Sequence, residues 1–163
     1  MIAAAAAVSA VQNKGSWVLN TGNLVYMTSN NAPSPYVATV DVTPTSGSPY
    51  QVFDSSNTTS VQWNNNSGAV SAKMTWTNPI KIVQMIVKVN RSGQPNTSTR
   101  IYGIKADASE VLIYNASITS NTDVTVNSTD TTTEFVGVRV EIDRRSDLIV
   151  NIYNLRITQW YSN

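Results

Sequence analysis

The side chains best suited to ligand chemistry in this chain are aromatic, basic and amide residues on segments predicted to be loops. Apolar faces of sugars stack on aromatic rings, and sugar hydroxyls need directed hydrogen-bond partners. A set that could supply both consists of Tyr36, Tyr50, Asn65, Arg91, Arg144 and Arg145. The alternative for the two tyrosines is packing at the edge of a hydrophobic core, and a double arginine is also typical of a solvated loop tip.

Catalysis by a nucleophile or by a paired acid and base is not expected. The chain has no cysteine and no histidine, which excludes a thiol nucleophile, a thiolate or imidazole metal site and a histidine-based triad. Glycoside hydrolysis needs two carboxyl groups facing each other across a cleft. The local acidic pairs lie at predicted turns or strand ends, namely Asp107/Glu110, Asp123/Asp130 and Glu141/Asp143. Nothing marks a cleft between them, so we predict that the protein is not an enzyme.

Composition favours an all-β domain without affinity for nucleic acid. The 163 residues fit one domain that is large enough to bury a core. Charged residues make up only 13%, and serine, threonine and asparagine fill about a third of the chain. Threonine favours strands, whereas serine and asparagine favour turns. The net charge of +1 and the lack of a basic run argue against binding to phosphates.

Alternating hydrophobic residues predict a series of short strands. Residues 72–76 alternate, residues 80–89 form the longest apolar run, and residues 20–23 form a hairpin-type turn between two short strands. Further strands are predicted at 36–42, 100–105, 111–114, 123–126, 135–142 and 149–160. Such a series of short strands separated by turns indicates a β-sandwich or jelly roll.

The chain begins with an alanine-rich apolar arm, MIAAAAAVSA. The arm lacks the positively charged start of a signal peptide, and it is too short to span a bilayer or to form a stable helix alone. We expect residues 1–13 to dock on a neighbouring chain of a symmetric assembly through Met1, Ile2, Val8 and Val11. Docking on the chain's own domain is the alternative. The predicted organisation is an assembly segment at residues 1–26 and a domain at residues 27–163.

Five segments of the chain carry motifs in a distinctive order. The first is SPYQVFD, followed by Thr59 and Trp63, and the second is TWTNPIKI. The others are RIYGIKADASEVL, FVGVRVEI and IYNLRI. Together they resemble the motifs of discoidin-like domains, the jelly-roll modules also found as galactose-binding and coagulation-factor C-type domains, and the resemblance covers about residues 27 to 160. It implies an all-β, discoidin-like jelly-roll β-sandwich with a short N-terminal extension, in which Trp63 and Trp76 occupy core positions.

The resemblance also implies a place for a structural calcium ion, which this sequence fills poorly. Asp54, Asn57 and Thr59 could supply oxygen ligands together with backbone carbonyls. The acidic residue that often helps to hold the ion near the last strand is replaced by Asn154. We therefore expect no cofactor beyond a weak calcium site. The alternative is that Asp54 caps a turn.

Discoidin-like domains are almost always binding or attachment modules, which implies a non-enzymatic role. The segment YMTSNNAPSPYVA resembles phage tail and virion proteins, so the first expectation is a structural or adhesion protein of a tail, fibre, baseplate or capsid surface. It would be assembled in the cytoplasm of the host bacterium. Its expected partners are other virion proteins, copies of itself and a host-surface glycan, without nucleic acid or membrane insertion. The alternatives are a free bacterial carbohydrate-binding module and a virion cement protein without a ligand.

Overall fold

The computed structural model describes residues 12–13, 19–20, 23–24, 36–54, 56, 58–64, 68–144 and 148–161. These residues form strands and one short 3-10 helix, Pro49–Val52, and no helix among them could cross a membrane. The strands are β1 (Gln12–Asn13), β2 (Leu19–Asn20), β3 (Asn23–Leu24), β4 (Val37–Val40), β5 (Val61–Trp63), β6 (Gly68–Arg91), β7 (Asn96–Ile104), β8 (Glu110–Thr119), β9 (Val124–Asn127), β10 (Phe135–Arg144) and β11 (Val150–Tyr161). The expectation of an all-β domain is confirmed.

The long strand β6 takes part in both sheets of the sandwich. Its first half pairs with β4 and β10, and its second half pairs with β11 and β9. The change of sheet falls near Pro79, where the register with β10 shifts between Phe135 and Gly137. Proline has no N–H to donate, so it is tolerated at such an irregularity. The segments predicted as separate strands, 72–76 and 80–89, are therefore one strand.

Antiparallel pairing defines the two sheets and their ends. The first sheet has the order β4-β6-β10-β7-β8; in the second, β11 lies between β6 and the short strands β1 and β5, and β9 lies on the other side of β6. Gly68 pairs with Arg144, and Arg91 pairs with Val150. Only five residues, 145–149, separate Arg144 from Val150 in the chain, so the two pairs lie at the same end of the sandwich. We call this end the arginine end. The opposite end carries the β7–β8 turn, residues 105–109, and the pair of Lys81 with Tyr161.

The core lies between the two sheets and contains the tryptophans that the resemblance placed there. Trp63 and Trp76 are 1% and 6% exposed. The indole Nε1 of Trp63 donates to the Val42 carbonyl oxygen at 2.9 Å, and that of Trp76 donates to the Phe135 carbonyl oxygen at 3.1 Å. A buried donor left without a partner would cost about 1–3 kcal/mol. The two indoles thus fill the core and satisfy their own polar atoms.

The N-terminal part of the chain meets the domain through a short ladder. Gln12 pairs with Trp160, and Asn13 pairs with Gln159. The short strands β2 and β3 pair with each other, Leu19 with Leu24 and Asn20 with Asn23. The backbone of β1 therefore adds to the sheet of the chain's own domain, which agrees with the alternative for the end of the arm. The proposed assembly residues Met1, Ile2, Val8 and Val11 lie outside the described residues.

Candidate ligand-binding site

Arg91 is the last residue of β6 and begins a tight turn at the arginine end. The Gln94 amide donates to the Arg91 carbonyl oxygen at 3.0 Å, and Gly93 has a φ of 71°. Glycine adopts this left-handed conformation without a steric penalty because it has no Cβ. The space into which a Cβ at position 93 would point is open. The turn therefore closes without a side chain at its most exposed point.

Arg144 ends β10 at the same end of the sandwich. It pairs with Gly68 at the start of β6, and the following connection leads to Val150, the strand partner of Arg91. The Ser92 amide donates to the Ile149 carbonyl oxygen at 2.8 Å, which joins the β6–β7 turn to the segment before β11. The fold thus brings together two of the predicted ligand-binding arginines. The predicted residues Asn65 and Arg145 lie outside the described residues.

The guanidinium of Arg91 has different contacts from those of other arginines. Its Nη2 donates to the Asn96 carbonyl oxygen at 3.3 Å, and its enclosed Nε has no hydrogen-bond partner among the described residues. By contrast, Arg100 and Arg139 have carboxylate oxygens at 2.6 and 2.7 Å, and Arg156 has one at 3.4 Å. Arg91 therefore keeps a charge that no carboxylate of the described residues neutralises.

Hydrogen bonds hold the turns around Arg91 in place. The Ser120 amide donates to the Pro95 carbonyl oxygen at 2.9 Å, and the hydroxyls of Thr97 and Ser120 lie 2.8 Å apart. The Asn121 amide donates to the Val89 carbonyl oxygen at 2.7 Å. These bonds tie the β6–β7 and β8–β9 connections together. A site that is already ordered loses less conformational entropy when it binds a ligand.

Further groups at the arginine end were not singled out from the sequence. Ile149 is 37% exposed, which gives the end an apolar surface beside the turn of Arg91. Asn64 directly follows β5, whose Trp63 pairs with Val150. Its Oδ1 accepts a hydrogen bond from the Gln62 Nε2 at 2.9 Å. An aliphatic residue before a strand and an amide after one have no distinctive spacing. Only the strand register reveals that they share an end with the arginines.

The two tyrosines expected to form a stacking platform pack in or against the core. Tyr36 precedes β4, whose Val37 pairs with Thr75, seven residues beyond Gly68 and about 23 Å along β6. It is 5% exposed and belongs to the core. Tyr50 lies on the 3-10 helix, half-buried against the core. Tyr36 therefore does not lie beside the arginines, and both positions correspond to the core-packing alternative.

Asp54 serves as a turn cap. Its Oδ1 accepts a hydrogen bond from the Ser56 amide at 2.8 Å, and its Oδ2 accepts one from the Thr59 hydroxyl at 2.7 Å. Calcium prefers about six to eight oxygen ligands. Asn154 is fully buried on β11, Asn57 lies outside the described residues, and no cluster of three acidic, histidine or cysteine residues that could hold a metal occurs within them. The donors around Asp54 fit a capped turn better than a calcium site.

Several acidic residues considered for catalysis form ion pairs on the outer face of the first sheet. Arg100 lies 2.6 Å from Glu141 and 2.5 Å from Asp143, measured between nitrogen and oxygen. Arg139 lies 2.7 Å from Glu110 and also pairs with Glu141. The Arg139 guanidinium is 4.2 Å from the centre of the Tyr102 ring. We call this group the ion-pair ladder; its members are Arg100, Tyr102, Glu110, Arg139, Glu141 and Asp143.

The electrostatics of the ladder do not suit proton transfer. Burial alone would raise the pKa of Glu141, but hydrogen bonds from Arg139 and Arg100 outweigh it and hold the pKa below its ordinary value. Hydrogen bonds with Asp143 and Glu141 raise the pKa of Arg100. The catalytic acid of a glycosidase needs a raised pKa. Glu141 is shifted in the opposite direction, so the ladder acts as a structural group.

No protein-family model and no curated protein matches this chain. Solved structures match its fold. The family 32 carbohydrate-binding module of AlyQ, in complex with 4,5-unsaturated mannuronic acid, has a TM-score of 0.59 at 14% identity, over 74% of this chain and 92% of that one. A family 32 module from Clostridium perfringens, in complex with GalNAc-β-1,3-galactose, has a TM-score of 0.60 at 13% identity, over 78% and 95%.

The same fold also occurs within a larger chain. A fucosidase of glycoside hydrolase family 29 from Ruminococcus gnavus, in complex with fucose, has a TM-score of 0.61 at 9% identity, over 78% of this chain and 25% of that one. At such identities the likeness establishes the fold alone. The domain is a discoidin-like jelly-roll sandwich of the kind found in carbohydrate-binding modules, as the five sequence motifs implied. The matched structures give no support to the phage context.

Proposed function

We propose that this protein is a non-catalytic carbohydrate-binding module whose ligand site lies at the arginine end. The observation that supports it most directly is the position of Arg91 and Arg144 at one end of a fold that carbohydrate-binding modules share. Loops on a rigid sandwich are common carriers of binding residues. The jelly roll supplies that scaffold.

The groups at the arginine end match the needs of a sugar. A guanidinium offers five N–H donors in a fixed fork, and Arg91 uses one of them on a backbone carbonyl oxygen. The amide of Asn64 can both donate and accept. The exposed face of Ile149 can cover the apolar C–H surface of a sugar ring. The described groups at this end therefore suit recognition through directed hydrogen bonds.

The biological setting has two candidates. The phage role predicted from YMTSNNAPSPYVA concerns a segment that is largely outside the described residues. The free bacterial module fits at least as well, since the solved structures with this fold include carbohydrate-binding modules from Clostridium perfringens. In both settings the proposed activity is the same: attachment to a glycan. A virion cement protein without a ligand is the outcome in which no glycan binds.

A glycan array tests the proposal directly. We expect retention of at least one class of glycan by the full chain, and a loss of retention in Arg91→Gln and Arg144→Gln. Lys105→Gln is the matched control, because it removes one positive charge in the β7–β8 turn at the opposite end. Melting temperatures of all variants exclude unfolding as the cause. Absence of retention across the array, with a folded protein, would overturn the proposal.

A mass measurement separates the two settings. Size-exclusion chromatography with light scattering on the full chain and on a chain lacking residues 1–13 reports whether the arm mediates assembly. A symmetric oligomer that dissociates without the arm supports the virion expectation. A monomer in both cases supports the free carbohydrate-binding module, and it does not count against the proposal that the protein binds a glycan.

A further inference from the structure

Resting on the proposed function, we infer that the arginine end selects sugars that carry a carboxylate, such as uronic or sialic acids, and that Arg91 is the group that binds the carboxylate. The juxtaposition behind this inference is an arginine that pairs with no carboxylate of the described residues and shares its end of the sandwich with a second arginine, while the nearby carboxylates of Asp143 and Asp123 pair elsewhere.

Two acidic side chains near this end are engaged by other arginines. Asp143 precedes Arg144 in the chain, but its carboxylate lies 2.5 Å from Arg100. Asp123 precedes β9, and its carboxylate lies 3.4 Å from Arg156. Neither is among the contacts of Arg91, whose hydrogen bond goes to a neutral carbonyl oxygen at 3.3 Å. No carboxylate of the described residues therefore competes with an incoming anion for the charge of Arg91.

The chemistry of a guanidinium favours a carboxylate over a hydroxyl. A carboxylate accepts two parallel hydrogen bonds from the guanidinium fork, and both bonds are charge-assisted. A hydroxyl accepts one such bond and leaves the charge without a counterion. Neutral sugars also require acceptors for their own hydroxyl protons. The described part of the arginine end offers acceptors in amide and carbonyl oxygens, whereas the carboxylates of Asp143 and Asp123 already accept from Arg100 and Arg156.

The described residues around Arg91 also leave its guanidinium without a carboxylate to neutralise it. The Nε atom is enclosed and has no hydrogen-bond partner among the described residues. The hydrogen bonds of Pro95, Ser120 and Asn121 hold the neighbouring connections in place, and neither β7 nor β9 contains an acidic residue. Within the part of the chain that the structure describes, the exposed side of the guanidinium is left to a ligand or solvent.

The test compares ligands that differ in charge alone. Calorimetric titration of the full chain uses trigalacturonate against its methyl ester, and sialyllactose against its methyl ester, at low and at 0.5 M salt (a concentration of about 0.5 M leaves a Debye length of roughly 4 Å). We expect at least one acid to bind roughly tenfold tighter than its neutral counterpart. The two acids distinguish a uronate from a sialate specificity.

Three variants locate the effect. Arg91→Gln should remove the preference for the acid, and Arg91→Lys should keep the charge but lose the fork, with an intermediate loss of affinity. Lys105→Gln should bind as the parent does. An equal loss in Arg91→Gln and Lys105→Gln would mean non-specific charge attraction and would overturn the inference.

The remaining outcomes separate the inference from the proposed function. Equal binding of acidic and neutral sugars, or binding of neutral sugars alone, leaves a carbohydrate-binding module and overturns the inference. A folded protein that binds no glycan on the array overturns both. A preference for the acid that persists in Arg91→Gln and in Arg91→Lys overturns the role assigned to Arg91.

Discussion

The ion-pair ladder and the arginine end use the same residue type in opposite ways. On the outer face of the first sheet, Arg100 and Arg139 each contact carboxylates, and Arg139 also covers an aromatic ring. At the end of the sandwich, Arg91 contacts a neutral carbonyl oxygen. Arginines whose donors are used within the fold stabilise it. An arginine whose donors are left over is available to a ligand.

The contrast follows from the surroundings that the sheet provides. Neighbouring strands hold side chains about 5 Å apart, so the register of β7, β8 and β10 places acids and arginines opposite each other. Turns at the end of the sheet have no such regular neighbours. Stability should therefore depend on the sheet face and the core, and binding should depend on the end.

The largest expected effect concerns Tyr36, which the sequence assigned to the ligand site and the structure assigns to the core. Tyr36→Ala should lower the free energy of unfolding by about 3 kcal/mol, because it deletes a buried aromatic ring. Glycan retention per folded molecule should not change. Urea unfolding and a glycan array at low temperature measure the two quantities. Loss of retention at unchanged stability would restore Tyr36 to the ligand site.

A smaller loss is expected when the ladder is broken. Arg139→Met should lower the free energy of unfolding by about 2 kcal/mol, because it leaves Glu110 and Glu141 without their shared partner. The matched control is Arg91→Met, which removes the same charge and nearly the same volume at the arginine end. Urea unfolding at pH 7 gives both values. Equal losses would remove the distinction between the two regions.

The pH dependence of that loss tests its electrostatic origin. Folding lowers the pKa of Glu141 below its ordinary value of 4.5, so the unfolded chain binds more protons in acid. The stability from this carboxylate is present above that value and is lost as the pH falls through the folded pKa. The difference between the parent and Arg139→Met should therefore shrink between pH 7 and pH 3. A constant difference would mean that Arg139 acts through packing.

The sequence predicted the positions of most strands because alternation and turn residues are local signals. Residues 135–142 and 149–160 lie almost entirely within β10 and β11. Continuity was harder to predict. An Asn-Pro inside an apolar run signals a break when the chain is considered alone, and only the pairing of both halves shows that β6 continues through it.

The candidate site was predicted only in part, because its members meet through pairing that the sequence does not encode locally. Arg91 and Arg144 were chosen one by one, and the register brings them to one end. The ladder was missed: Arg100 and Glu141 are 41 positions apart in the chain. The burial of Tyr36 likewise depends on contacts across the sandwich. The cap by Asp54 is local, and the sequence did offer it as an alternative.

Asp54 should contribute a modest, metal-independent stabilisation. Asp54→Ala removes the acceptors of the Ser56 amide and the Thr59 hydroxyl, and should lower the free energy of unfolding by about 1 kcal/mol. The loss should be the same in calcium and in a chelator, since a ligand that does not bind cannot shift the equilibrium. Thermal unfolding under both conditions measures it. A chelator-induced drop of the parent's melting temperature, absent in the variant, would instead reveal a calcium site.

The smallest stability effect should come from Arg91 itself. Its guanidinium makes one long hydrogen bond within the fold, and its enclosed Nε goes without a partner among the described residues. Replacing it removes little that holds the fold together and relieves an unpaired donor. Arg91→Gln should therefore change the free energy of unfolding by less than about 0.5 kcal/mol. A small increase in that free energy would agree with a ligand-binding role for Arg91 as well as no change would. Urea unfolding, read beside the glycan titration of the same preparation, is the measurement. A loss of more than about 1 kcal/mol would show that Arg91 stabilises the fold as Arg100 and Arg139 do. The contrast between arginines that stabilise the fold and an arginine that binds a ligand would then no longer hold for Arg91, the residue on which it mainly rests.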